Sequence, residues 1–244
     1  TFTGAGGITV DGGDPTASDT LIVNGTTGND AVTFAPTAAD AMTITGLGAP
    51  VTLTTTEHVT YNGAGGQDDM TITTPAGLQQ LQLLPGIVAD SGSIAINSPA
   101  GGPFLGLSFQ NVGVLIGGSS LIITNTGGGR VDDVVLSGRD LANGADVFSV
   151  SAAGIVDLQE LAAVGSGLLF PQVVTTGVRN LTLSGLAGDD IFNIPGNHPF
   201  NNLLVDGGSP SASDVLNFTG SGANAVSVNL ASATVNEATF GPVA

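Results

Sequence analysis

Short runs rich in Val, Ile, Thr and Leu recur roughly every ten residues, and in most of them apolar and polar positions alternate. A period of two is typical of a β-strand with one buried face. Clusters of Gly, Asn, Asp, Ser and Pro separate the runs and are typical of turns. The runs that predict strands are 20–23, 31–34, 42–45, 51–55, 58–61, 70–73, 121–124, 133–136, 147–150, 180–183, 191–194, 215–218 and 225–228.

Two segments, 77–84 and 156–164, have a weak helical pattern, but each is too short or too weakly capped to change the class. We therefore predict a single all-β repeat domain over residues 1–244, a length that one all-β domain often reaches. The predicted architecture is a parallel β-solenoid of the β-helix or β-roll type with Gly-Asp turns. An antiparallel β-sandwich is the alternative, because strands at this spacing suit both architectures.

An internal repeat joins the two ends of the sequence. VDGGDPTASDTL begins at Val10 and VDGGSPSASDVL begins at Val205, and nine of the twelve positions are identical. The likeness continues loosely, so that segment 10–34 is repeated at 205–228. Such a repeat indicates either one unit of a longer array or a duplication inside one domain.

A shorter pattern, G-x-x-G-x-D-x-h-x-h with h apolar, starts at Gly25, Gly63 and Gly185, and its second half recurs from Gly144. Glycine permits tight turns, the aspartate stands at the strand entrance, and h-x-h sends two apolar side chains into the core. Stacked in parallel coils, such turns would form a column of carbonyl and carboxylate oxygens, which are the ligands that calcium prefers.

These turns resemble a degenerate form of the RTX nonapeptide, G-G-x-G-x-D-x-h-x, whose repeats wind into a calcium-filled β-roll in secreted bacterial proteins. The stretches EHVTYNGAGGQDDMTITTPAG (57–77) and VRNLTLSGLAGDDIFNI (178–194) also resemble repeats of giant surface or secreted proteins of bacteria such as planctomycetes. The resemblance implies an extracellular or cell-surface β-solenoid. RTX turns follow one another every nine residues, whereas these lie tens of residues apart, which argues against a continuous calcium roll.

If the role of the RTX aspartates carries over, calcium would be held singly at Asp30, Asp68, Asp146 and Asp190, with Asp69 and Asp189 as second carboxylates. In the long repeat, Asp11 with Asp19 and Asp206 with Asp214 could each bring two carboxylates to one cation. The alternative is that the aspartates accept hydrogen bonds from backbone N–H groups two residues further on, as in Asx turns.

The amino-acid composition limits the classes of partner that the chain could bind. Three arginines stand against 20 acidic residues, which gives a net charge of −17. This charge excludes the usual electrostatic binding of nucleic acid and repels anionic lipid surfaces, whereas bound cations would relieve it. No apolar stretch is long enough to insert into a membrane. Hydrophobic residues make up 41% of the chain, which is enough apolar surface to form a folded core.

Residues for catalysis are scarce. The chain has two histidines, one tyrosine, no tryptophan and no cysteine. The adjacent pairs Asp68-Asp69, Asp132-Asp133 and Asp189-Asp190 leave a polysaccharide-active enzyme as a remote alternative, although neighbouring strand residues point to opposite faces.

The sequence therefore predicts a structural protein rather than an enzyme. We expect a module of an extracellular filament, fibre or surface layer, assembled head to tail with copies of itself. An adhesin that binds a glycan, or ice through rows such as Thr52/Thr54 and Thr71/Thr73, is the second hypothesis.

Overall fold

The computed structural model describes residues 6–13, 19–113, 118–139, 144–160, 170–209 and 213–244. These residues are all-β and contain no helix, which confirms the predicted class. It follows that no helix in these ranges could span a membrane.

The strands, numbered in chain order, follow the alternating runs. They are β1 (Ile8–Asp11), β2 (Thr20–Asn24), β3 (Ala31–Ala38), β4 (Ala41–Thr45), β5 (Val51–Thr54), β6 (His58–Asn62), β7 (Asp69–Thr74), β8 (Gln80–Pro85), β9 (Gly92–Ser98), β10 (Gly102–Gln110), β11 (Ser120–Asn125), β12 (Asp132–Ser137), β13 (Asp146–Val150), β14 (Ile155–Glu160), β15 (Gln172–Val174), β16 (Val178–Ser184), β17 (Ile191–Pro195), β18 (Asn202–Asp206), β19 (Val215–Thr219), β20 (Val226–Asn229) and β21 (Thr234–Glu237).

Every run that predicted a strand overlaps one of these strands. The two segments with a weak helical pattern overlap β8 and β14, and residues 161–164 of the second lie outside the described residues. Strands that the runs left out include β9 and β10, where glycine, serine and proline interrupt the apolar pattern.

Two large sheets account for most of the strands. Sheet A has the order β1-β5-β4-β3-β7-β11-β15-β14-β13-β17-β19, and sheet B has the order β18-β16-β12-β8-β9-β10-β6-β2. A hairpin of β20 and β21 completes the described strands. Pairing is mixed but mostly parallel, because eleven of the eighteen strand pairs are parallel.

Within the two large sheets, the antiparallel pairs come from three meanders. In β3-β4-β5, β8-β9-β10 and β13-β14-β15 the middle strand runs against its two neighbours. Elsewhere in these sheets the chain crosses to the other sheet after each strand, and the strands it reaches pair in parallel. Residues far apart in sequence therefore become neighbours in register.

The core lies between the sheets and is formed by the apolar positions of the alternating runs. Phe34 of β3 and Tyr61 of β6 illustrate the contact, since their rings meet edge to face with centroids 5.7 Å apart. Within sheet A, Phe148 and Phe192 stack at 5.0 Å on the adjacent strands β13 and β17. All four side chains are almost fully buried.

Candidate functional site

The Gly-Asp turns lie where the chain passes from sheet B to sheet A. In each turn a glycine follows a sheet B strand, and an aspartate precedes or begins the next sheet A strand. The aspartates at this corner are Asp30, Asp68, Asp146, Asp190 and Asp214, and we call them the carboxylate ladder. Asp68, Asp146 and Asp190 are completely buried, whereas Asp30 and Asp214, nearer the ends of the sheets, are partly exposed.

Hydrogen bonds connect the ladder from coil to coil, where a coil is one passage of the chain through a sheet B strand, a Gly-Asp turn and the following sheet A strand. The backbone N–H of Asp30 donates to Asp68 Oδ1 at 2.9 Å, and the N–H of Asp146 donates to Asp190 Oδ1 at 2.8 Å. The N–H of Asp190 in turn donates to Asp214 Oδ1 at 3.0 Å. Each of these carboxylates thus binds the N–H of the equivalent residue in the neighbouring coil, which satisfies a backbone donor at the entrance to the strand.

The second oxygen of three ladder carboxylates faces its own turn. Asp30 Oδ2 accepts from the N–H of Thr26 at 2.6 Å, and Asp146 Oδ2 accepts from the N–H of Arg139 at 2.7 Å. Asp68 Oδ2 accepts from the buried Tyr61 hydroxyl at 3.0 Å. The Asp68 side chain therefore connects two coils and closes a turn at the same time, whereas the Asp30 and Asp146 side chains close their own turns.

The first glycine of the turn is required by this carboxylate. A methyl group on Gly63 would overlap Asp68 Oδ2 and the carbonyl oxygen of Asn111, and one on Gly185 would overlap Asp190 Oδ2. The second glycine meets the backbone of the preceding coil instead, since a Cβ at Gly66 would overlap the carbonyl oxygen of Gly28. In the turns that start at Gly63 and Gly185 the spacing G-x-x-G-x-D thus places glycine at two close approaches, whereas a Cβ on Gly28 in the first turn would lie 3.6 Å from Thr26 Oγ1.

Burial makes ionisation of the ladder unfavourable. Burial, with a smaller contribution from the nearby Asp190 and Glu160 carboxylates, raises the pKa of Asp146 to about 7, although the hydrogen bond from Arg139 N–H acts in the opposite direction. Burial also raises the pKa values of Asp68 and Asp190. Asp146 Oδ1 and Asp190 Oδ2 are buried oxygens without a hydrogen-bond partner among the described residues. Because they accept no hydrogen bond there, these are the oxygens on which a proton would be placed.

A related arrangement stands at the opposite corner, where the chain passes from sheet A to sheet B. Asp132 is completely buried and accepts hydrogen bonds from Gln79 N–H at 3.0 Å, Thr74 Oγ1 at 2.6 Å and Asn125 Nδ2 at 2.9 Å. Glu57 accepts from Asp19 N–H at 2.9 Å. The sequence pattern did not identify these roles, although an acidic residue after the glycine-rich turn 127–129 was a visible signal for Asp132.

Asparagine side chains form shorter rows on the outside of the sheets, which sequence reasoning also missed. Asn111 Nδ2 donates to Asn62 Oδ1 at 2.8 Å, and Asn62 Nδ2 donates to Asn24 Oδ1 at 3.1 Å. On sheet A, Asn217 Nδ2 donates to Asn193 Oδ1 at 3.0 Å. Asparagines at these separations in sequence become a recognisable signal only when the register of the coils is known.

The remaining predicted metal ligands lie apart from the ladder. Asp11 Oδ1 and Asp206 Oδ1 accept from the N–H groups of Gly13 and Gly208, two residues further on and both at 3.2 Å, which is Asx-turn geometry. Asp69 and Asp189 are exposed, on the opposite side of the backbone from their buried neighbours. The Asp19 carboxylate lies close to Gly12.

Among the described residues, no three His, Asp or Glu side chains are grouped closely enough to hold one metal ion. Most ladder oxygens accept N–H or O–H hydrogen bonds, which compete with a cation for the same lone pairs. Calcium at these turns therefore stays a prediction, and the chelation experiment below tests it.

The groups considered for catalysis are separated or enclosed. His58 is exposed on β6, whereas His198 is buried against Phe200, and burial lowers the pKa of His198. In each adjacent aspartate pair the buried residue, Asp68, Asp132 or Asp190, accepts a hydrogen bond from a backbone N–H. The other member of the 132/133 pair, Asp133, forms an ion pair with Arg179 at 3.0 Å.

We expect the Asp68→Ala substitution to lower the free energy of unfolding by about 2 kcal/mol, because it removes the acceptor of two donors, Asp30 N–H and the buried Tyr61 hydroxyl. The Asp69→Ala substitution, at the exposed neighbour, should change it by less than about 0.5 kcal/mol. Urea unfolding of both variants measures the difference. Equal losses would show that the ladder carboxylate has no special structural role.

Comparisons with models of known protein families, with curated proteins and with solved structures gave no match to this chain. The geometry of the turns and sheets is therefore the basis for the proposals that follow.

Proposed function

We propose that this chain is a structural module of an extracellular fibre or surface layer, built as a parallel β-solenoid that stacks with copies of itself. The observation that carries the proposal is the use of its polar side chains. Buried carboxylates and surface asparagines bind the neighbouring coil, so they serve the stacking of coils.

The topology supports the solenoid over an antiparallel sandwich. Away from the meanders, successive strands alternate between sheets A and B, and each pairs in parallel with a strand of the neighbouring coil. A sandwich of hairpins would pair neighbours in sequence antiparallel. In this proposal the three meanders are local excursions from a winding chain.

The ends of the sheets support assembly. β1 is the last strand of sheet A and β2 is the last strand of sheet B at the same end of the molecule. Unpaired strand edges bind other strands readily, and identical units joined head to tail produce a filament. A net charge of −17 would oppose close stacking unless protons or cations neutralise part of it.

Imaging concentrated protein in calcium, in EDTA, and in EDTA with excess calcium as the control tests this function. Fibres or sheets that disperse only under chelation would support assembly bridged by calcium. Assemblies that persist in EDTA would support the structural role and remove calcium from its mechanism. Monomers under all three conditions would overturn the assembly proposal.

A shallow groove on the outer face of sheet B supports a second function, an adhesin that binds a glycan. Amide, hydroxyl and carboxylate groups of adjacent strands line it, namely Gln80, Gln82, Asn97, Asp133, Asn180 and Thr182. Such groups can bind sugar hydroxyls. Glycan-array binding by a chain that stays monomeric, lost in the Gln82→Ala variant, would favour this function over the first.

A further inference from the structure

The last strands of the chain repeat the arrangement of the first five. β1 and β2, joined by the turn after Asp11, correspond to β18 and β19, joined by the turn after Asp206. The sequence repeat covers these turns, although residues 14–18 and 210–212 lie outside the described residues. The correspondence can therefore be tested in the flanking backbone and in the strands that follow.

The described parts of the two turns have the same conformation. Gly13 and Gly208 have φ angles of +86° and +85°, and each donates its N–H at 3.2 Å to the aspartate two residues before it. The glycine before each faces the next aspartate, because a methyl group on Gly12 would lie 2.8 Å from Asp19 Oδ2 and one on Gly207 would overlap Asp214 Oδ2. The two copies are thus alike in structure as well as in sequence.

The strands after the turn also correspond. β3 and β4 form an antiparallel pair, as do β20 and β21. Val51 of β5 then pairs in parallel with Ile8 and antiparallel with Ile44. Val243 pairs in the same two ways with Leu203 and Val235.

A proline precedes the valine in both closing segments. Ile8 N–H donates to the carbonyl oxygen of Pro50 at 2.8 Å, and Leu203 N–H donates to that of Pro242 at 3.1 Å. The described residues from 202 to 244, with four strands and the bridged Val243, are therefore arranged like β1 to β5, as the start of a second unit of the same architecture.

This second unit begins with the two sheets exchanged. β1 belongs to sheet A and β2 to sheet B, whereas β18 belongs to sheet B and β19 to sheet A. The new unit is seated on the preceding coil, because β18 pairs in parallel with β16 and β19 pairs in parallel with β17. The Asp190 N–H donates to Asp214 across this joint.

The equivalent surface at the start of the chain is uncovered. A Cβ on Gly208 would overlap the carbonyl oxygen of Leu186 in the preceding coil, whereas a Cβ on Gly13 would meet nothing within 4 Å. In the described part of the chain, no strand pairs with the outer edge of β1 or β2.

We propose that the outer edges of β1 and β2 are a docking surface for the last coil, β16 and β17, of another copy of this unit, on which β1 and β2 take the place that β18 and β19 occupy within this chain. In the register of the observed joint, Leu181 and Leu183 of that coil lie opposite Ile8 and Val10. Phe192 and Ile194 lie opposite Leu21 and Val23. The apolar rows of both sheets thus continue from one unit into the next.

The carboxylate ladder continues through the same joint. Asp19 takes the place of Asp214, so its carboxylate accepts the Asp190 N–H of the docked coil. The proposal rests on the proposed function, because it specifies the surfaces through which successive units meet when β1 and β2 of one unit replace β18 and β19 of another. It also fixes a period of 195 residues, the separation of Val10 and Val205.

A tandem chain tests the joint directly. Residues 1–201 are joined without a linker to residues 7–244, so that Gly7 replaces Asn202 and the first strands of the complete second unit follow the last coil of the first. We expect one rigid particle with roughly twice the length of the parent in small-angle X-ray scattering, and one cooperative unfolding transition. Two units that move independently, as in a control with a flexible Gly-Ser linker at the joint, would overturn the proposal.

A single-unit exchange keeps the proposal testable if the tandem chain is insoluble. Residues 202–244 are replaced by residues 7–52, which places β1 and β2 on β16 and β17 within a chain of nearly native length. Cooperative unfolding within a few degrees of the parent supports the joint, and an unfolded chain beside a folded parent overturns it. Fibre imaging uses the unmodified chain, so absent fibres with a rigid tandem would overturn only the assembly function.

Discussion

The Gly63→Ala variant is expected to lose about 4 kcal/mol of its free energy of unfolding, because the added methyl group has no space. It would overlap Asp68 Oδ2 on one side and the carbonyl oxygen of Asn111 on the other. Neither can move freely, since Asp68 is held by Asp30 N–H and the Tyr61 hydroxyl, and the Asn111 carbonyl oxygen accepts the Gly65 N–H. Chemical denaturation of the variant and the parent measures the loss.

Gly28 provides the matched control in the same kind of turn. Its backbone is not in the positive-φ region, and the nearest atom to an added Cβ is Thr26 Oγ1 at 3.6 Å, an ordinary contact. The Gly28→Ala substitution should change stability by less than about 1 kcal/mol, with stabilisation favoured because alanine restricts the unfolded chain. If both variants behaved alike, the close approach of glycine and carboxylate would not be the reason for the glycine pattern.

Acidification from about pH 8 to about pH 5 should stabilise the folded chain by on the order of 3 kcal/mol through Asp146. Its pKa is about 7 in the folded state against an ordinary value of 3.8, because burial disfavours the charged form. Between these two values the folded state binds more protons than the unfolded state. Stability therefore falls as pH rises from about 4 to about 7 and becomes level above that range.

Thermal or urea unfolding across this pH range measures the effect, and the Asp146→Asn variant identifies its source. Asparagine retains an acceptor for Arg139 N–H but does not ionise, so the variant should lose most of the pH dependence. The remaining slope would come from other buried groups. Burial also raises the pKa values of Asp68, Asp90, Asp132 and Asp190. Burial lowers the pKa of His198, which contributes a slope of the opposite sign. A parent chain that gained stability as the pH rose over this range would contradict a buried, proton-binding ladder.

Both predictions assign a structural role to the Gly-Asp turns. Their residue types are those of calcium-binding turns, which is why the sequence resembles the RTX family. In the fold, the glycines make room for the carboxylates, and the carboxylates bind backbone N–H groups of the next coil. A proton on Asp146 and a cation between coils are two ways to relieve the same concentration of negative charge, and the pH and chelation experiments distinguish them.

The long repeat shows what sequence identity indicates by itself and what it leaves open. The identity between the segments at Val10 and Val205 left open a duplication inside one domain and a unit of a longer array. The exchange of sheets at β18 and β19 could not be read from the sequence, because identical letters do not say which sheet a strand joins. That exchange is what makes the proposed joint specific, since it fixes which strand of one unit meets which strand of the next.

The sequence by itself determined the all-β class and the positions of most strands, because the alternation of apolar and polar residues is a local property with the period of the pleat. The Gly-Asp turns were equally local and were visible as spacing. Only the tertiary structure decided that β4, β9 and β14 run opposite to their neighbours. It also decided that the Asp68 carboxylate accepts the Asp30 N–H and that the Asp190 carboxylate accepts the Asp146 N–H. These pairs lie 38 and 44 residues apart, and such contacts depend on the order and register of whole coils, which no short stretch of sequence contains.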